Sequence, residues 1–499
     1  MIEALLSRTP VPFLVGGRWE TGTLPPHDLQ SFTGTLPRPL VATEDKDGSW
    51  QVARPGTDHL HSALDATAKG QAILSHLPPY RRRAILEDTA RGIEENRSLL
   101  AHLITAEVGK PASAALFEVD RAIATFRVAA DLATTTGHHF QPGNLVPQGA
   151  GMIGLVERVS AGPVLAITPY NFPLNLLAHK VAPAIATGSA LIVKPAPRGM
   201  TTALALGAIL LSAGLPPEAL SILPCDLPDT QRLIDHPALP VISFTGSATV
   251  GWQIRDRVPR KKVLLELGGA AAVMILEDGM THDLPDRLIA GAFAYSGQVC
   301  ISIQRILVAR PLLEPLCTLL REKTEALERD GKIGAPDSSR TLVAPLITRS
   351  HADNVRRKVE EAIASGAKPL TPLRQEGALL YPVFLKETGA DWPIEQEEVF
   401  GPVATINSFD TPEEAVARIN RSRYGIQAGI FTREIDRAFG WARDIEAGGV
   451  LINEIPTFRL DHWPYGGIKE SGSGFEGIAY AMEEMSRPRL LAFRLPSGS

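Results

Sequence analysis

Short apolar runs alternate with helical stretches through the middle of this chain. GPVLAITP, SALIVKP, LSILP and VISFTGS follow one another after Gly151, separated by stretches such as LNLLAHKVAPAIATG and TTALALGAILLSAG. Parallel strands need crossover helices between them, so this alternation predicts an open parallel α/β sheet. A second alternation starts near Asp283, with QRILVAR, VATINSF and GGVLIN as strand-like runs. A chain of 499 residues is therefore expected to contain at least two α/β units.

The composition is that of a globular protein with mixed charge. Hydrophobic residues make up 44%, and 50 basic and 55 acidic residues are mixed along the sequence. The absence of a basic run argues against nucleic acid as a partner, and no apolar stretch approaches the roughly 18 residues of a membrane span. The N-terminal segment does not resemble a secretory signal, and the three cysteines have neither disulfide nor zinc-site spacing. We therefore expect a cytoplasmic protein without a metal.

The regions around the sheets are less regular. Residues 21–55 are rich in Pro, Gly, Thr and Asp and are expected to be irregular, whereas the pattern from about Asp58 to Thr136 is helical. The charged residues of YRRRAILEDTARGIEENRSLLAHLITAEVGK are expected to form solvated helix faces. GHHFQPGN and GMIGLVERVS predict a hairpin, and the tail RPRLLAFRLPSGS predicts a strand without an obvious partner nearby. Such unpaired strands predict an arm that pairs with another subunit.

One cysteine lies where a helix is not expected to continue. Cys300 follows Ser296, Gly297 and Gln298, which make a poor helix interior. Its thiol is therefore expected in a loop or at a helix start, where sulfur is accessible and its pKa falls. A small buried hydrophobic residue is the commoner role of an intracellular cysteine, and the local sequence leaves that alternative open. Cys225 and Cys317 are expected to serve packing.

Three polar residues lie within, at the end of or directly after predicted strands. Glu266 lies in the apolar run VLLELGG, where a buried carboxylate is usually paired or catalytic, with a raised pKa that suits a general base. Asn171, in TPYNFPLN, either directs its amide at an oxyanion or stabilises a turn. Lys194 ends ALIVKPAP at the sheet edge where ligands bind, and it either contacts ribose hydroxyls or lies on the surface.

Two glycine-rich segments need separate interpretation. FTGSATVG follows a strand-like run and leads into a helical one, so its N–H groups either face a pyrophosphate or form a plain tight turn. It lacks the Gly-Lys-Ser/Thr of a P-loop, which disfavours nucleotide hydrolysis. GSGFEG, with Gly472, Gly474 and Gly477, matches G-x-G-x-x-G without a strand before it. We therefore expect a flexible turn there rather than a cofactor site.

The order of these motifs is more informative than any one of them. PYNFPLN, KPAP, FTGSATVG, LELGG, GQVC, EEVFGP and PYGGIKESGSG occur in that order, with 34 residues from Glu266 to Cys300 and 23 from Asn171 to Lys194. Over nearly its whole length the chain resembles the aldehyde dehydrogenase superfamily, of the NAD(P)-dependent, non-acylating type. The resemblance implies an α/β fold in three parts: a Rossmann-like cofactor-binding domain (1–136 and 156–267), an α/β catalytic domain (268–478) and a small β oligomerisation arm (137–155 and 479–499).

The resemblance also implies a chemistry. Cys300 attacks the aldehyde to give a thiohemiacetal, whose oxyanion is bound by the Asn171 side chain and the Cys300 N–H. Hydride transfer to NAD or NADP leaves a thioester, and Glu266 activates the water that hydrolyses it to a carboxylic acid. Lys180 and Glu476 match residues that relay protons towards the base.

Cofactor positions follow from the same comparison. Lys194 and Glu398 match the positions that bind the two riboses, Phe400 the aromatic residue beside them, and Ser247 the turn facing the pyrophosphate. The other positions expected at the cofactor are Thr168, Pro169, Pro197, Arg198, Gly246, Gly251, Leu267 and Gly268. Pro197 stands where many NAD-preferring relatives have a glutamate, and Arg198 follows it. Loss of that acid removes a repulsion against a 2′-phosphate, so the use of both NAD and NADP is expected.

The substrate is less sharply indicated. Positions at or near the aldehyde pocket of relatives are occupied here by Tyr170, Val299, Ile301, Phe458, Arg459 and Tyr465. Val299 places no cation beside the nucleophile, and PTFRLDHWPYGG resembles members acting on small polar aldehydes, lactaldehyde-like or glyceraldehyde phosphate-like. Arg459 either binds a substrate anion bidentately or pairs structurally with Asp461.

Two other functions remain open at this point. In a CoA-acylating relative, CoA replaces water in cleaving the thioester, and such relatives commonly lack an acid at the position of Glu266. A non-catalytic binding or structural member of the fold is the alternative of another class, against which Cys300, Glu266 and Asn171 together argue. A homodimer or a homotetramer is expected.

Overall fold

A computed structural model describes residues 2–33, 49–135 and 137–495. The two predicted parallel sheets are both present. The first has eight strands, and its five central strands are parallel. In spatial order these are Leu220–Ile222, Leu191–Lys194, Val164–Ile167, Val241–Thr245 and Lys262–Glu266. Antiparallel strands extend both edges, Phe13–Val15 with Arg18–Glu20 on one side and Gly472–Ser473 on the other.

The strand order of the first sheet reverses between Val164–Ile167 and Val241–Thr245. The chain adds strands outward in one direction from the first of these, then returns to add the second on its other side. In open α/β sheets ligands bind at such a switch point, beyond the carboxyl ends of the strands. The crossover helices are Asn175–Thr187, Met200–Ser212, Leu227–Asp235 and Ala248–Arg257, and the helices before them in the chain are Ile2–Leu6, Thr57–His76, Pro79–Glu95, Arg97–Val108 and Ala112–Ala133.

The second sheet has seven strands built around a parallel centre. Its spatial order is Lys368–Pro369, Val383–Lys386, Val403–Phe409, Ile303–Ala309, Ala271–Ile275, Gln427–Phe431 and Gly449–Ile452. The later helices are Leu284–Phe293, Leu313–Arg329, Arg349–Ala364, Pro393–Gln396, Pro412–Asn420, Ile435–Asp444 and Ile478–Glu484. Two further pairs of short strands are Gln375–Glu376 with Leu379–Leu380, and Tyr424–Gly425 with Ile468–Lys469.

The C-terminal strand finds its partner within its own chain. Ser486–Arg494 pairs antiparallel with Met152–Ser160 over nine residues, and His139–Pro142 pairs with the other edge of that strand. The three strands form a sheet that is exposed on much of its surface, where Phe140, Leu490 and Phe493 are at least half exposed. Within the described residues, no helix is both long and apolar enough to cross a membrane.

The expectation of irregular structure over residues 21–55 is wrong where the structure describes the segment. Leu24–Gln30 and Ser49–Arg54 form an antiparallel hairpin. Its register shifts between Leu24 and His27, and the two prolines occupy that irregularity, where a strand tolerates the loss of backbone donors. Residues 34–48 lie outside the described residues.

The expectation of solvated charges over residues 80–110 is also wrong at its C-terminal end. Glu107 and Lys110 are each 1% exposed. Glu107 accepts hydrogen bonds from the N–H groups of Thr201 (2.7 Å) and Thr202 (3.1 Å), at the first turn of the helix Met200–Ser212. A buried carboxylate thus satisfies amide groups that have no partner within their own helix.

Lys110 pairs with a second buried carboxylate, that of Glu118. Glu118 Oε1 accepts hydrogen bonds from the N–H groups of Leu174 (2.8 Å) and Asn175 (3.1 Å), where the helix Asn175–Thr187 begins. The Lys110 ammonium lies 3.5 Å from the centre of the Phe172 ring and 4.7 Å from that of Tyr295. Burial lowers the pKa of Lys110 to about 8, against the opposing charge of Glu118.

We predict that Glu118→Ala destabilises the protein by about 3–5 kcal/mol, because it leaves the Lys110 ammonium buried without a counter-charge. The double variant Lys110→Met/Glu118→Gln should lose less, since it contains no buried charge and keeps an acceptor for the helix amides. Urea unfolding followed by circular dichroism measures both effects. The control is Asp120→Ala, which breaks an exposed pair with Arg97 and should cost no more than about 1 kcal/mol. A Glu118→Ala midpoint equal to that of the control would contradict the prediction.

Candidate active site

Cys300 is presented by a strained turn between the two sheets. After the helix Leu284–Phe293, Tyr295, Ser296 and Gly297 all have positive φ, at 51°, 56° and 68°. Ser296 holds this turn by donating to the Ala344 carbonyl (2.5 Å) and accepting from the Ala344 N–H (2.9 Å). A Cβ at Gly297 would lie 2.2 Å from the Gly401 carbonyl oxygen, so that position requires glycine. The thiol therefore lies in a rigid loop, as the sequence predicts, and not in a helix.

The Cys300 side chain is half-buried in a small apolar cluster. Ile301 and Tyr465 are buried there, and Val299 packs against them. The sulfur lies 3.0 Å from the Tyr465 hydroxyl. Burial raises the pKa of the thiol to about 12, while the hydrogen bond with Tyr465 acts in the opposite direction. Phe458 is 39% exposed, farther out in the same C-terminal region.

Asn171 lies beside the thiol loop. It follows the strand Val164–Ile167 at the switch point, is 5% exposed, and donates one amide hydrogen to the Gln298 carbonyl oxygen at 2.9 Å. A side-chain amide has two N–H bonds, so one remains for a ligand. In the part of the chain that the structure describes, the Cys300 N–H has no hydrogen-bond acceptor. Tyr170 donates to Gln298 Oε1 (3.3 Å) and so braces the same loop.

Glu266 ends the strand Lys262–Glu266 and is 5% exposed. Its Oε1 atom has no hydrogen-bond partner among the described residues. Burial raises the pKa of this carboxyl well above its usual range, and the nearby negative charge of Glu476 raises it further. The turn after Glu266 packs directly on the thiol loop, since a Cβ at Gly269 would lie 2.2 Å from the Cys300 carbonyl oxygen.

Lys180 and Glu476 form a buried pair behind Glu266. The Lys180 ammonium donates to Thr245 Oγ1 (2.7 Å), to Ser243 Oγ (3.0 Å) and to Glu476 Oε1 (3.4 Å). Burial lowers the pKa of Lys180, although Glu476 opposes the shift. Burial alone would raise the pKa of Glu476, but Lys180 and Arg459 lower it to about 2. The pKa values of two neighbouring carboxyl groups, Glu266 and Glu476, are thus shifted in opposite directions by their surroundings.

Arg459 has a closer partner than Asp461. Its guanidinium donates to Glu476 Oε2 at 3.0 Å and lies 3.8 Å from Asp461 Oδ1. Asp461 is held instead by Arg121, through bonds of 2.6 and 3.0 Å, and by His179 at 2.8 Å. The Arg459 guanidinium carbon also lies over the Tyr465 ring, 3.6 Å from its centre.

A groove of about 760 Å³ opens at the carboxyl ends of the first sheet's strands. Lys194, Pro197, Cys225 and Phe244 are among its lining residues. The Lys194 side chain is half-buried, and burial lowers its pKa. Thr168 is buried next to that strand and donates its N–H to the Lys194 carbonyl (3.2 Å), and Pro169 follows it. Lys194, which the sequence predicts to bind the cofactor, therefore borders a cavity.

The turn at Ser247 opens the helix Ala248–Arg257 beside this groove. Ser247 is its N-cap and accepts a hydrogen bond from the Val250 N–H (3.4 Å). Gly246 allows the Phe244 ring to lie against the turn, and Gly251 allows Leu267 to do so, since a Cβ at either would come within 2.6 Å of those side chains. A helix N-terminus with a glycine before it suits a pyrophosphate.

Glu398 and Phe400 lie on the other side, beside the turn after Glu266. Glu398 Oε1 accepts a hydrogen bond from the Gly269 N–H at 3.0 Å, and a Cβ on Gly268 would lie 2.4 Å from its Oε2. Burial raises the pKa of Glu398 to about 7. The Phe400 ring stands edge-on to Tyr170, with centres 6.2 Å apart.

The Arg198 side chain is engaged by groups of its own chain. It donates to the carbonyl oxygens of Gln30 (3.2 Å) and Glu107 (3.4 Å), and its guanidinium lies over the Phe32 ring. Pro197, in contrast, is exposed on the groove.

The expectation of a flexible turn at GSGFEG is wrong for its first residues. Gly472–Ser473 is an edge strand of the first sheet, with Gly472 opposite Glu266 and Ser473 opposite Leu265. A Cβ at Gly472 would lie 2.1 Å from the Leu265 carbonyl oxygen, so the glycine permits the close approach. Local sequence could not reveal this pairing, because its partner lies about 200 residues earlier. The strand brings Glu476 to Glu266.

Sequence reasoning missed the buried charges contributed by the helical region. Glu118 and Arg121 lie on the helix Ala112–Ala133, and they contact the segment after Asn171 and Asp461 respectively. Glu118 falls in line with buried Ala115, Val119 and Ala122 on one face of this helix. That 3.6-residue period was the available signal that Glu118 faces the core.

Comparison with known proteins agrees with this geometry. The model of the aldehyde dehydrogenase family matches residues 39–491. The 3-sulfolactaldehyde dehydrogenase of Priestia megaterium is 33% identical over 482 residues, covering 96% of this chain and 97% of the relative. The lactaldehyde dehydrogenase of Methanococcus aeolicus is 36% identical over 429 residues, covering 85% and 90%.

A solved structure shows the same fold. The NADP-dependent glyceraldehyde-3-phosphate dehydrogenase of Bacillus halodurans, complexed with NADP, superposes with a TM-score of 0.92 at 30% identity, covering 98% of this chain and 100% of the other. The α/β fold class predicted from the sequence is confirmed. The chain belongs to the aldehyde dehydrogenase family and is an oxidoreductase that acts on aldehydes.

Proposed function

We propose that this enzyme oxidises a small polar aldehyde to its carboxylic acid through a covalent intermediate on Cys300, with NAD or NADP as cofactor. The observation that carries the proposal is the position of Glu266. Its carboxyl group is buried, has one oxygen without a partner in the described chain, and ends a strand whose following turn packs on the thiol loop. An acid in that setting fits a general base that activates water beside the sulfur.

A residue of this chain suits each step of the proposed reaction. The Cys300 thiolate bonds through Sγ to the aldehyde carbon while the carbonyl double bond opens towards oxygen, and the free N–H of Asn171 and the Cys300 N–H stabilise the oxygen that becomes negative. When bound, NAD(P) supplies the hydride acceptor that converts the thiohemiacetal to a thioester. Glu266 then removes a proton from water, the water oxygen bonds to the thioester carbon, and the carbon–sulfur bond breaks to release the acid.

The buried pair behind Glu266 suits the return of that proton. The ionised Glu476 raises the proton affinity of Glu266, and Lys180 lies between Glu476 and the hydroxyls of Thr245 and Ser243. These groups form a polar path leading away from the base. We assign Lys180 and Glu476 to proton relay on this ground.

The chain's own residues fit a dinucleotide. Lys194 borders the groove for the adenosine half, Ser247 and Gly246 open a helix N-terminus towards a pyrophosphate, and Glu398 with Phe400 lies near the thiol for the nicotinamide half. At position 197 the groove is lined by a proline and not by an acid, so this position does not repel a 2′-phosphate. Both NAD and NADP are therefore proposed as cofactors. Arg198 is engaged by backbone carbonyls and is not required for this.

The substrate class rests on relatives and on one arginine. Relatives named for sulfolactaldehyde, lactaldehyde and glyceraldehyde 3-phosphate act on small polar aldehydes, two of them anionic. The sequence proposes Arg459 as the cation that binds such an anion. Its guanidinium already donates to Glu476 and lies over the Tyr465 ring. Anion binding and a purely structural role are therefore both retained as alternatives.

CoA-acylating chemistry and a non-catalytic role are less well supported. Hydrolysis needs a base for water, and the buried carboxyl group of Glu266 suits that role. The three free cysteines and the absence of pairing among them are compatible with a cytoplasmic enzyme, which we propose as its location.

We predict that Glu266→Gln separates the two halves of the reaction. Rapid mixing with an excess of aldehyde should give a burst of reduced cofactor close to one per site, followed by steady-state turnover at least about 100-fold slower than wild type, because the amide cannot accept the proton of water. A panel of aliphatic, aromatic and anionic aldehydes with NAD and with NADP measures this by absorbance of the reduced cofactor.

Cys300→Ser is the matched control and should show neither burst nor turnover. Wild-type production of acid only when CoA is added would instead identify the acylating chemistry. Turnover that survives Cys300→Ser would refute the covalent mechanism.

For Arg459, we predict that replacement by Ala distinguishes the two alternatives. If the guanidinium binds a substrate anion, KM for an anionic aldehyde should rise at least about tenfold more than KM for a neutral aldehyde of the same length. Equal changes for the two substrates would exclude anion binding by Arg459.

We also propose that the three-stranded arm docks on a second copy of the chain, giving a homodimer or a homotetramer. Its exposed residues Phe140, Leu490 and Phe493 lie on paired strands and offer apolar area that the described residues of their own chain leave uncovered. We predict that Leu490→Glu/Phe493→Glu lowers the mass measured by light scattering to that of a monomer. Arg487→Glu, an exposed change on the same strand, should leave the mass unchanged, and a monomeric wild type would contradict the proposal.

A further inference from the structure

The hydroxyl of Tyr465 is held at the nucleophile by its backbone. It lies 3.0 Å from Cys300 Sγ, and the residue is 4% exposed. The Tyr465 N–H donates to the Glu476 carbonyl at 3.0 Å, and the Glu476 N–H donates back to the Tyr465 carbonyl at 2.6 Å. This two-way bridge holds the Tyr465 backbone and burial restricts the ring, so the contact of the hydroxyl with sulfur belongs to a packed part of the fold.

A cation covers the face of the same ring. The Arg459 guanidinium carbon lies 3.6 Å from the ring centre, and its side chain is only 7% exposed. Glu476 Oε2 holds the guanidinium in place by accepting a hydrogen bond at 3.0 Å. A cation on the ring face draws electron density from the phenol, which makes its O–H a stronger donor.

The thiol needs such a donor. The thiolate is the reactive form, and burial at this site opposes its formation. Among the described residues, the Tyr465 hydroxyl is the hydrogen-bond partner of the sulfur. Burial also raises the pKa of Tyr465 well above its usual value, so the phenol keeps its proton as a donor across the working pH range.

We propose that Tyr465 is a catalytic residue whose hydroxyl donates a hydrogen bond to the Cys300 thiolate, with Arg459 as the positioning residue that strengthens this donor. In the thiol form either atom can donate, but a thiolate can only accept. The bond is therefore stronger to the charged form and lowers the pKa of the thiol. The same hydroxyl donates to the sulfur again when the carbon–sulfur bond of the thioester breaks and the sulfur leaves with the electron pair. The inference rests on the proposed role of Cys300.

The test is the pH dependence of alkylation of the cofactor-free enzyme by iodoacetamide, with modification of Cys300 followed by mass spectrometry. The titration midpoint reports the thiol pKa without aldehyde, cofactor or turnover. We expect Tyr465→Phe to raise this midpoint by about one unit, which corresponds to about a tenfold smaller thiolate fraction near neutral pH. Tyr480→Phe, an exposed tyrosine on the helix Ile478–Glu484, is the matched control and should leave it unchanged.

A second pair of variants tests whether Arg459 acts through Tyr465. Arg459→Lys keeps the charge beside Glu476 but loses the flat stacking, and it should raise the midpoint by less than Tyr465→Phe does. The double variant Arg459→Lys/Tyr465→Phe should match Tyr465→Phe alone, because the donor is already gone. Additive shifts would overturn the assignment of Arg459.

An unchanged midpoint in a folded Tyr465→Phe enzyme overturns the role of Tyr465. Thiolate ultraviolet absorbance, taken as the difference from Cys300→Ser, gives the same midpoint independently if alkylation is hindered. Failure of the proposed function has a different signature, in which Cys300 titrates and responds to Tyr465→Phe but Cys300→Ser still oxidises aldehydes.

Discussion

The buried pair of Lys110 and Glu118 ties together the segments that carry the chemistry. Glu118 holds the first amides of the helix that follows Asn171, while Lys110 lies between the rings of Phe172 and Tyr295. Phe172 is next to the amide proposed for the oxyanion, and Tyr295 starts the left-handed turn that ends at the thiol. One ion pair therefore links the position of the proposed oxyanion site to that of the proposed nucleophile. Its burial makes the link stiff, because neither charge can leave its partner without a large desolvation cost.

Near this ion pair, two carboxyl groups of the site differ in pKa because their surroundings differ. Glu266 and Glu476 are both buried carboxyl groups, yet two cations hold Glu476 ionised while Glu266 has an unpaired oxygen and a raised pKa. The difference arises from where Lys180 and Arg459 lie, and not from burial itself. The proposed base and its ionised neighbour are thus both glutamates, distinguished by their surroundings.

The sequence was sufficient for the parts that depend on local pattern. The parallel strands, the strand-end position of Lys194, the burial of Glu266 and the loop before Cys300 follow from apolar runs and from glycine placement, and the family follows from motif order. The edge strand at Gly472, the hairpin after Leu24 and the buried Glu107 and Lys110 did not follow. Each depends on a partner far away in sequence, and composition or local periodicity holds no information about such a partner. Glu118 was accessible in principle, because its helix has a regular buried face.

The pairing of Gly472 with Glu266 has a consequence for the order in which this enzyme is made. The ribosome releases Cys300 and Glu266 long before the segment that contains Tyr465 and Glu476. Until that last segment joins the edge of the first sheet, the thiol lacks its phenol donor and the base lacks its charged neighbour. Completion of the sheet edge therefore depends on the last part of the chain to be made, and it brings the Tyr465 hydroxyl to the sulfur and the Glu476 carboxylate to Glu266.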